Sequence, residues 1–149
     1  MPTTLAIKFT AANIADGQAL AELRVDAMRE SLERIGRFDP ERARQRLLAS
    51  FVPENTRHVL VADEPVGFVA VTRRDDGHHL DHLYVHPDEQ GRGIGSAVLA
   101  LIFAEVDALG EDLHVVALRD SASNRFYLRH GFVFVKEEPW DLYYVRRAR

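Results

Sequence analysis

Three glycines at alternate positions, Gly91, Gly93 and Gly95, punctuate the run from Leu83 to Leu99, which reads LYVHPDEQGRGIGSAVL. Its left end is β-prone, its middle a turn, and its right end opens an apolar helix. Glycines without a Cβ let a ligand lie against bare backbone. The N–H groups that open a helix have no intrahelical partner and stand at the positive end of its dipole. A strand, such a turn and a helix start together make an anion site, most naturally for phosphate. A P-loop would need a lysine where Gly95-Ser96-Ala97 has none. A dinucleotide fingerprint counted from Gly91 would need a third glycine where Ser96 stands.

A second reactive-looking cluster precedes the turn, His78-His79-Leu80-Asp81-His82. Strand alternation puts His78 and His82 on one face, and His79 and Asp81 on the other. The three histidines therefore close no three-ligand site, and no metal is expected. With no cysteine in the chain, disulfides, thiolate metal sites and a cysteine nucleophile are all excluded.

These groups need elements to hold them. A first strand is expected over Thr4–Thr10. A helix follows from about Asp16, with Leu20, Leu23, Ala27, Met28 and Leu32 on its apolar face, and Glu22, Arg24, Arg29 and Glu33 elsewhere on the wheel. Gly36 stops it, and Asp39-Pro40 starts a second helix through Leu47 and Leu48. Strands are expected at His58–Ala62, Gly67–Thr72 and His79–Val85, with Asp75-Asp76-Gly77 as a hairpin turn. The helix from Gly93 to Leu109 is apolar almost all round and reads as buried, ending at Gly110. Leu113–Leu118 reads as an interior strand covered on both faces, parallel to the fourth strand through a right-handed crossover. Ser121 is expected to cap a helix ending at Gly131. Strands at Phe132–Val135 and Leu142–Val145 flank a turn at Pro139-Trp140, and the tail from Arg146 reads as solvated.

At 149 residues, 46% hydrophobic and 28% charged, the chain suits one domain spanning residues 1–149. A net charge of −4 gives no basic field for nucleic acid and mildly suits a cationic amine. Met1–Leu5 does not resemble a leader, and no run is long enough to span a membrane, so a cytoplasmic protein is expected.

The pattern Gln90-x-x-Gly93-x-Gly95 resembles the acyl-CoA signature of the GCN5-related N-acetyltransferase (GNAT) superfamily. Asn124-Arg125-Phe126-Tyr127-Leu128-Arg129-His130-Gly131-Phe132 resembles that family's second motif in compressed form. The order β-α-α-β-β-β-α-β-α-β-β is also that family's. The resemblance implies an α/β fold of α+β type, with a mixed, twisted seven-stranded sheet and helices on both faces. It implies acetyl-CoA (coenzyme A) as cofactor, its pyrophosphate held by amides of Gln90, Gly91, Arg92, Gly93, Ile94, Gly95 and Ser96. Gln90 either meets the phosphates or fixes the loop. Leu83, Tyr84 and Val85 would lie along the thioester arm, Asn124 would hydrogen-bond the pantetheine, and Tyr127 would sit near the sulfur.

The implied reaction is transfer of an acetyl group to a primary amine by direct attack in a ternary complex. It needs a neutral amine, and an alkylammonium with a pKa of about 10.4 must first lose a proton. It needs an oxyanion donor, which the motif places at the Leu83 N–H, worth roughly 3 kcal/mol. It needs a proton for the leaving thiolate, which Tyr127 is placed to give. In the family a carboxylate base often stands four residues before the oxyanion position, where this chain has His79. His79 or Asp81 could act directly or through water, and a strand bulge would present His82 instead. Met28, Phe38, Trp140, Tyr143 and Tyr144 are the candidates for lining the acceptor pocket, while Phe126, Leu128 and Phe132 read as core. The acceptor is expected to be a small-molecule or peptide amine. No nucleic acid or membrane partner is expected, and a homodimer stays open. A longer acyl group, a protein-modifying enzyme and a non-catalytic acyl-CoA-binding or sensing module are the rival readings.

Overall fold

Asp75 and Asp76 reverse the chain between two long strands. The computed structural model describes residues 6–149, so the expectations for Met1–Leu5, including the start of the first strand, lie outside the described residues. The chain runs β1 (Ile7–Ala11), α1 (Gly17–Arg34), α2 (Pro40–Ser50), β2 (Thr56–Val61), β3 (Glu64–Arg74), β4 (Gly77–Val85), α3 (Ile94–Ala108), β5 (Leu113–Leu118), α4 (Ser123–Arg129), β6 (Val133–Glu137) and β7 (Asp141–Arg146), with three short 3-10 turns between elements. This is the predicted order. One seven-stranded sheet results, ordered β1-β2-β3-β4-β5-β7-β6. β4 and β5 are parallel, as the crossover through α3 requires, and the other registered pairs are antiparallel.

Two compact units divide the chain, with β3, β4 and α3 contributing to both. The first comprises the residues up to Ala70 together with His82–Val98. Asp39 starts α2 as predicted, its carboxylate accepting from Arg42 N at 3.1 Å with Pro40 at the first helical position. Ala12, Leu20, Ala21, Leu47 and Phe68 form the core of this unit, with Leu23, Phe51 and Tyr84 packed against it. Arg24, read from the sequence as lying off the apolar face, is instead buried. Its guanidinium donates to Ala43 O at 2.7 Å and to Tyr84 Oη at 3.3 Å. An always-charged side chain tolerates such a place only when hydrogen-bonded, and these two bonds link α1, α2 and β4.

The second unit comprises Val71–Asp81 and Leu99–Arg149. β7 pairs with β5 along its whole length, and Arg146 on β7 makes a two-pronged ion pair with Asp107 of α3 at 2.8 and 3.1 Å. Arg146 is buried rather than part of a solvated tail, and its guanidinium covers the Phe103 ring at 3.9 Å.

Four further expectations are corrected. α3 is buried on one stripe only, Ile94, Val98, Leu99, Ile102 and Val106, while Ala100, Leu101 and Ala104 are exposed; small alanines made the helix look apolar all round without requiring cover. β5 alternates, with Leu113, Val115 and Ala117 buried and Val116 exposed, so it is not covered on both faces. Ser121 does not cap α4, whose N-cap is Ala122 without a side-chain bond; the Ser121 carbonyl instead accepts from Asn124 N at 3.3 Å. Leu128 is half exposed rather than core, whereas Phe132 is buried.

Candidate active site

The stretch between β4 and α3 is built by backbone. β4 ends at Val85, where His86 N donates to Val66 O at 2.8 Å and ties the loop to β3. A 3-10 turn over Pro87–Glu89 follows, with His86 Nδ1 accepting from Asp88 N. Gln90 Nε2 donates to Val85 O at 3.1 Å, so its side chain ties the loop back to the strand end. Arg92 pairs with Glu89. Gly91 and Gly93 adopt φ of +82° and +78°, and a Cβ built at either meets nothing within 4 Å. The glycines are thus required by conformation, and the space a side chain would take is open beside the main chain. The first registered helical bond of α3 runs from Ala97 N to Gly93 O at 3.1 Å, and the amides of Gly93, Ile94 and Gly95 stand ahead of it at the positive end of the helix.

β4 leads into this loop under constraint. Gly67 of β3 faces it so closely that a Cβ there would stand 2.2 Å from Tyr84 O. The Tyr84 side chain turns into the core of the first unit, its hydroxyl donating to Met28 Sδ at 3.4 Å and its ring 5.5 Å from Phe68. Any contact of Tyr84 with a cofactor is therefore left to its main chain. His82 lies on the same face, its ring 5.7 Å from that of Tyr84 and 6.0 Å from Phe68. Met28, a candidate for the acceptor pocket, is thus joined to Tyr84, and Phe38 is covered by the Arg29 guanidinium at 4.5 Å.

At the start of β4, pairing with β5 runs from His78↔Leu113 to Leu80↔Val115. His79 stands beside His114, and their rings stack at 4.6 Å between centroids. Asp76, in the hairpin turn, completes this group. His79 Nε2 is 2.6 Å from its Oδ1, and His114 Nε2 donates to the Asp76 backbone carbonyl at 3.0 Å. The bond from His79 and the nearby His114 hold the Asp76 carboxyl below its ordinary value, so it stays ionised. Asp81 is occupied differently. Thr72 Oγ1 donates to its Oδ2 at 2.6 Å and Arg74 Nη2 to its Oδ1 at 3.2 Å.

The second motif forms a network of its own. Asn124 Nδ2 donates to Leu118 O at 2.9 Å and Ser121 O at 3.0 Å, and its Oδ1 accepts from Tyr144 Oη at 2.7 Å. Tyr127 is buried, packed edge-on against Phe132 with ring centroids 5.3 Å apart, and 6.5 Å from the Tyr144 ring. Burial pushes the Tyr144 hydroxyl above its ordinary value. Of the other pocket candidates, Tyr143 lies beneath the Lys136 ammonium at 4.6 Å, its hydroxyl raised chiefly by a bond to Glu138, and Trp140 is exposed.

Asp76, His114 and Gly67 escaped sequence reasoning. Asp76 carried only a turn signal and His114 sat alone in an apolar strand; their convergence on His79 appears only once β4 and β5 are aligned. Gly67 was legible in principle as a glycine inside a strand pattern.

A sequence model of the acetyltransferase (GNAT) domain matches residues 55–134. The peptidyl-lysine N-acetyltransferase YjaB of Salmonella typhimurium is 38% identical over 110 residues, covering 72% of this chain and 68% of that protein. Mycothiol acetyltransferase of Sanguibacter keddieii is 32% identical over 126 residues, 83% of this chain but only 38% of that longer protein. In fold, the chain is similar to the PaiA N-acetyltransferase of Thermoplasma acidophilum, solved in complex with coenzyme A. The TM-score is 0.73 at 15% identity, over 95% of this chain and 99% of that one.

Proposed function

The chain belongs to the GNAT family of acetyltransferases, whose acyl donor is acetyl-CoA, and from that premise we propose that it transfers an acetyl group to a primary amine by direct attack in a ternary complex, with a lysine side chain in a peptide as the preferred acceptor. The observation that carries this reading is the left-handed backbone at Gly91 and Gly93, with open space beside both, ahead of the N-terminus of α3.

Acetyl-CoA fits this cradle, and when bound it supplies an activated acetyl thioester. Amides of Gly91, Gly93, Ile94 and Gly95 hold its diphosphate, and the Gln90 side chain keeps the loop on the end of β4. Arg92, at the loop surface, can exchange Glu89 for a phosphate oxygen. The Leu83 N–H stabilises negative charge on the acyl oxygen, a contribution of roughly 3 kcal/mol for one such donor. Tyr127 holds the proton that the departing thiolate takes up. A thiol with a pKa of about 8.5 needs modest help, so Tyr127 affects rate without being indispensable. Asn124 orders the start of α4 through its bonds to Leu118, Ser121 and Tyr144, and its part in holding the pantetheine arm is exercised through that turn.

His79 serves as the base. Asp81 already accepts from Thr72 through one oxygen and from Arg74 through the other. His79 instead presents Nε2 to the ionised Asp76, which fixes that nitrogen as N–H and leaves Nδ1 to take the ammonium proton, through water. The acidic balance of the chain favours approach of a cationic lysine peptide. The peptide preference is supported by the YjaB likeness. A thiol-release assay with acetyl-CoA over lysine peptides, polyamines, aminoglycosides and amino acids tests it. Turnover led by peptides is expected. Coenzyme A binding with no thiol release from any amine would replace the enzyme by a binding module.

A further inference from the structure

We propose that Asp76, His79 and His114 form a binding site for a divalent transition-metal ion of the zinc class. The site itself stands on geometry, and only its effect on turnover rests on His79 acting as base. One donor atom from each residue lies within 4.8 Å of the other two. Two imidazoles and one carboxylate are a borderline donor set that suits zinc, nickel or copper, whereas calcium and magnesium require mostly oxygen.

The fold builds this set from three directions. Parallel register places His79 and His114 side by side on adjacent strands, and their stacked rings fix each other's planes. The hairpin turn brings Asp76 over both, 2.6 Å from His79 Nε2 and 3.7 Å from His114 Nε2 through its two carboxylate oxygens. His114 Nε2 now donates to the Asp76 carbonyl at 3.0 Å, a bond it gives up as it turns to the ion, its ring proton then residing on Nδ1. Ligands about 2.1 Å from zinc stand about 3.4 Å apart across a tetrahedral edge, so small ring rotations bring all three onto one ion. Both histidine side chains are about four-fifths buried, while Asp76 is 61% exposed and leaves an entry path. Three protein ligands leave one position for water.

The ion would replace the proton now shared between His79 and Asp76. With metal on Nε2, the neutral ring of His79 carries its proton on Nδ1, the nitrogen that the base mechanism needs free. Occupancy therefore turns the base off and makes amine acetylation zinc-sensitive.

Calorimetric titration of zinc chloride into the full chain, without substrate, tests the site. One ion per chain is expected. His114→Phe, which keeps a ring against His79 but removes a donor, and Asp76→Asn should each weaken binding at least tenfold, while His86→Ala leaves it unchanged. Should either variant fail to fold by circular dichroism, the zinc-induced rise in melting temperature, present in the wild type and absent in the remaining folded variant, gives the same answer. No binding to the wild type, or binding that survives both variants, would overturn the site. Turnover measured in chelator tests the base by itself, so loss of either idea leaves the other standing.

Discussion

The glycine loop and the histidine-bearing start of β4 flank one strand and are built on opposite plans. In the loop, side chains are removed or turned to local work, Gln90 onto Val85 and Arg92 onto Glu89, and the proposed binding of diphosphate is left to backbone amides. At the strand's start, backbone is committed to pairing with β5, and the side chains of Asp76, His79 and His114 converge. A backbone surface is fixed by conformation and tolerates change in everything except φ. A side-chain surface is fixed by register and tolerates backbone change that keeps the strands aligned. The loop suits a large polyanion held the same way in every turnover, whereas the cluster suits proton or metal chemistry sensitive to conditions.

Substitutions separate the two plans. Gly93→Val forces a β-branched residue to φ +78°, a strain of order 1–3 kcal/mol that the loop relieves by moving its amides. Coenzyme A affinity should fall more than 100-fold by calorimetry with the circular dichroism spectrum retained; undiminished affinity would remove the loop as the diphosphate cradle. His79→Gln should lower kcat by about 100-fold in chelator, abolishing the fall in rate on the acid side of the pH–rate profile while coenzyme A affinity stays within twofold. An intact profile would send the base elsewhere. A smaller effect, about tenfold on kcat with unchanged cofactor affinity, is expected for Tyr127→Phe; equal rates at every pH would dismiss it as the proton source.

The smallest effect concerns stability. The Arg146 ion pair holds Asp107, and the Ala148 N–H with Arg147 holds Asp112, below the ordinary carboxylate value. Groups whose pKa is depressed by folding stabilise fully above their unfolded value, near 4, and lose that contribution as pH falls through the folded one. Melting temperature should therefore be flat from neutrality to about pH 5 and decline below 4, and Asp107→Asn should flatten that acid decline in part.

What the sequence made legible follows the same division. Glycine spacing ahead of an apolar helix announces the left-handed turn found at Gly91 and Gly93 by itself, because conformation is local. The strand and helix order was readable for the same reason, from periodicity, capping at Asp39 and the Asp75-Asp76-Gly77 turn. Burial was less readable. Arg24 looked like surface because its partners, Ala43 O and Tyr84 Oη, come from α2 and β4, and α3 looked fully covered because alanine is apolar without needing cover. The His79 cluster was invisible, since it depends on which residue of β5 stands opposite.

Backbone amide shifts of the nitrogen-15-labelled chain, recorded as coenzyme A is added, test the central claim most directly. The amides of Gly91, Gly93, Ile94 and Gly95 should move furthest and saturate together, while those of Asp76 and His114 shift little. Saturable binding that leaves the four loop amides in place would contradict it.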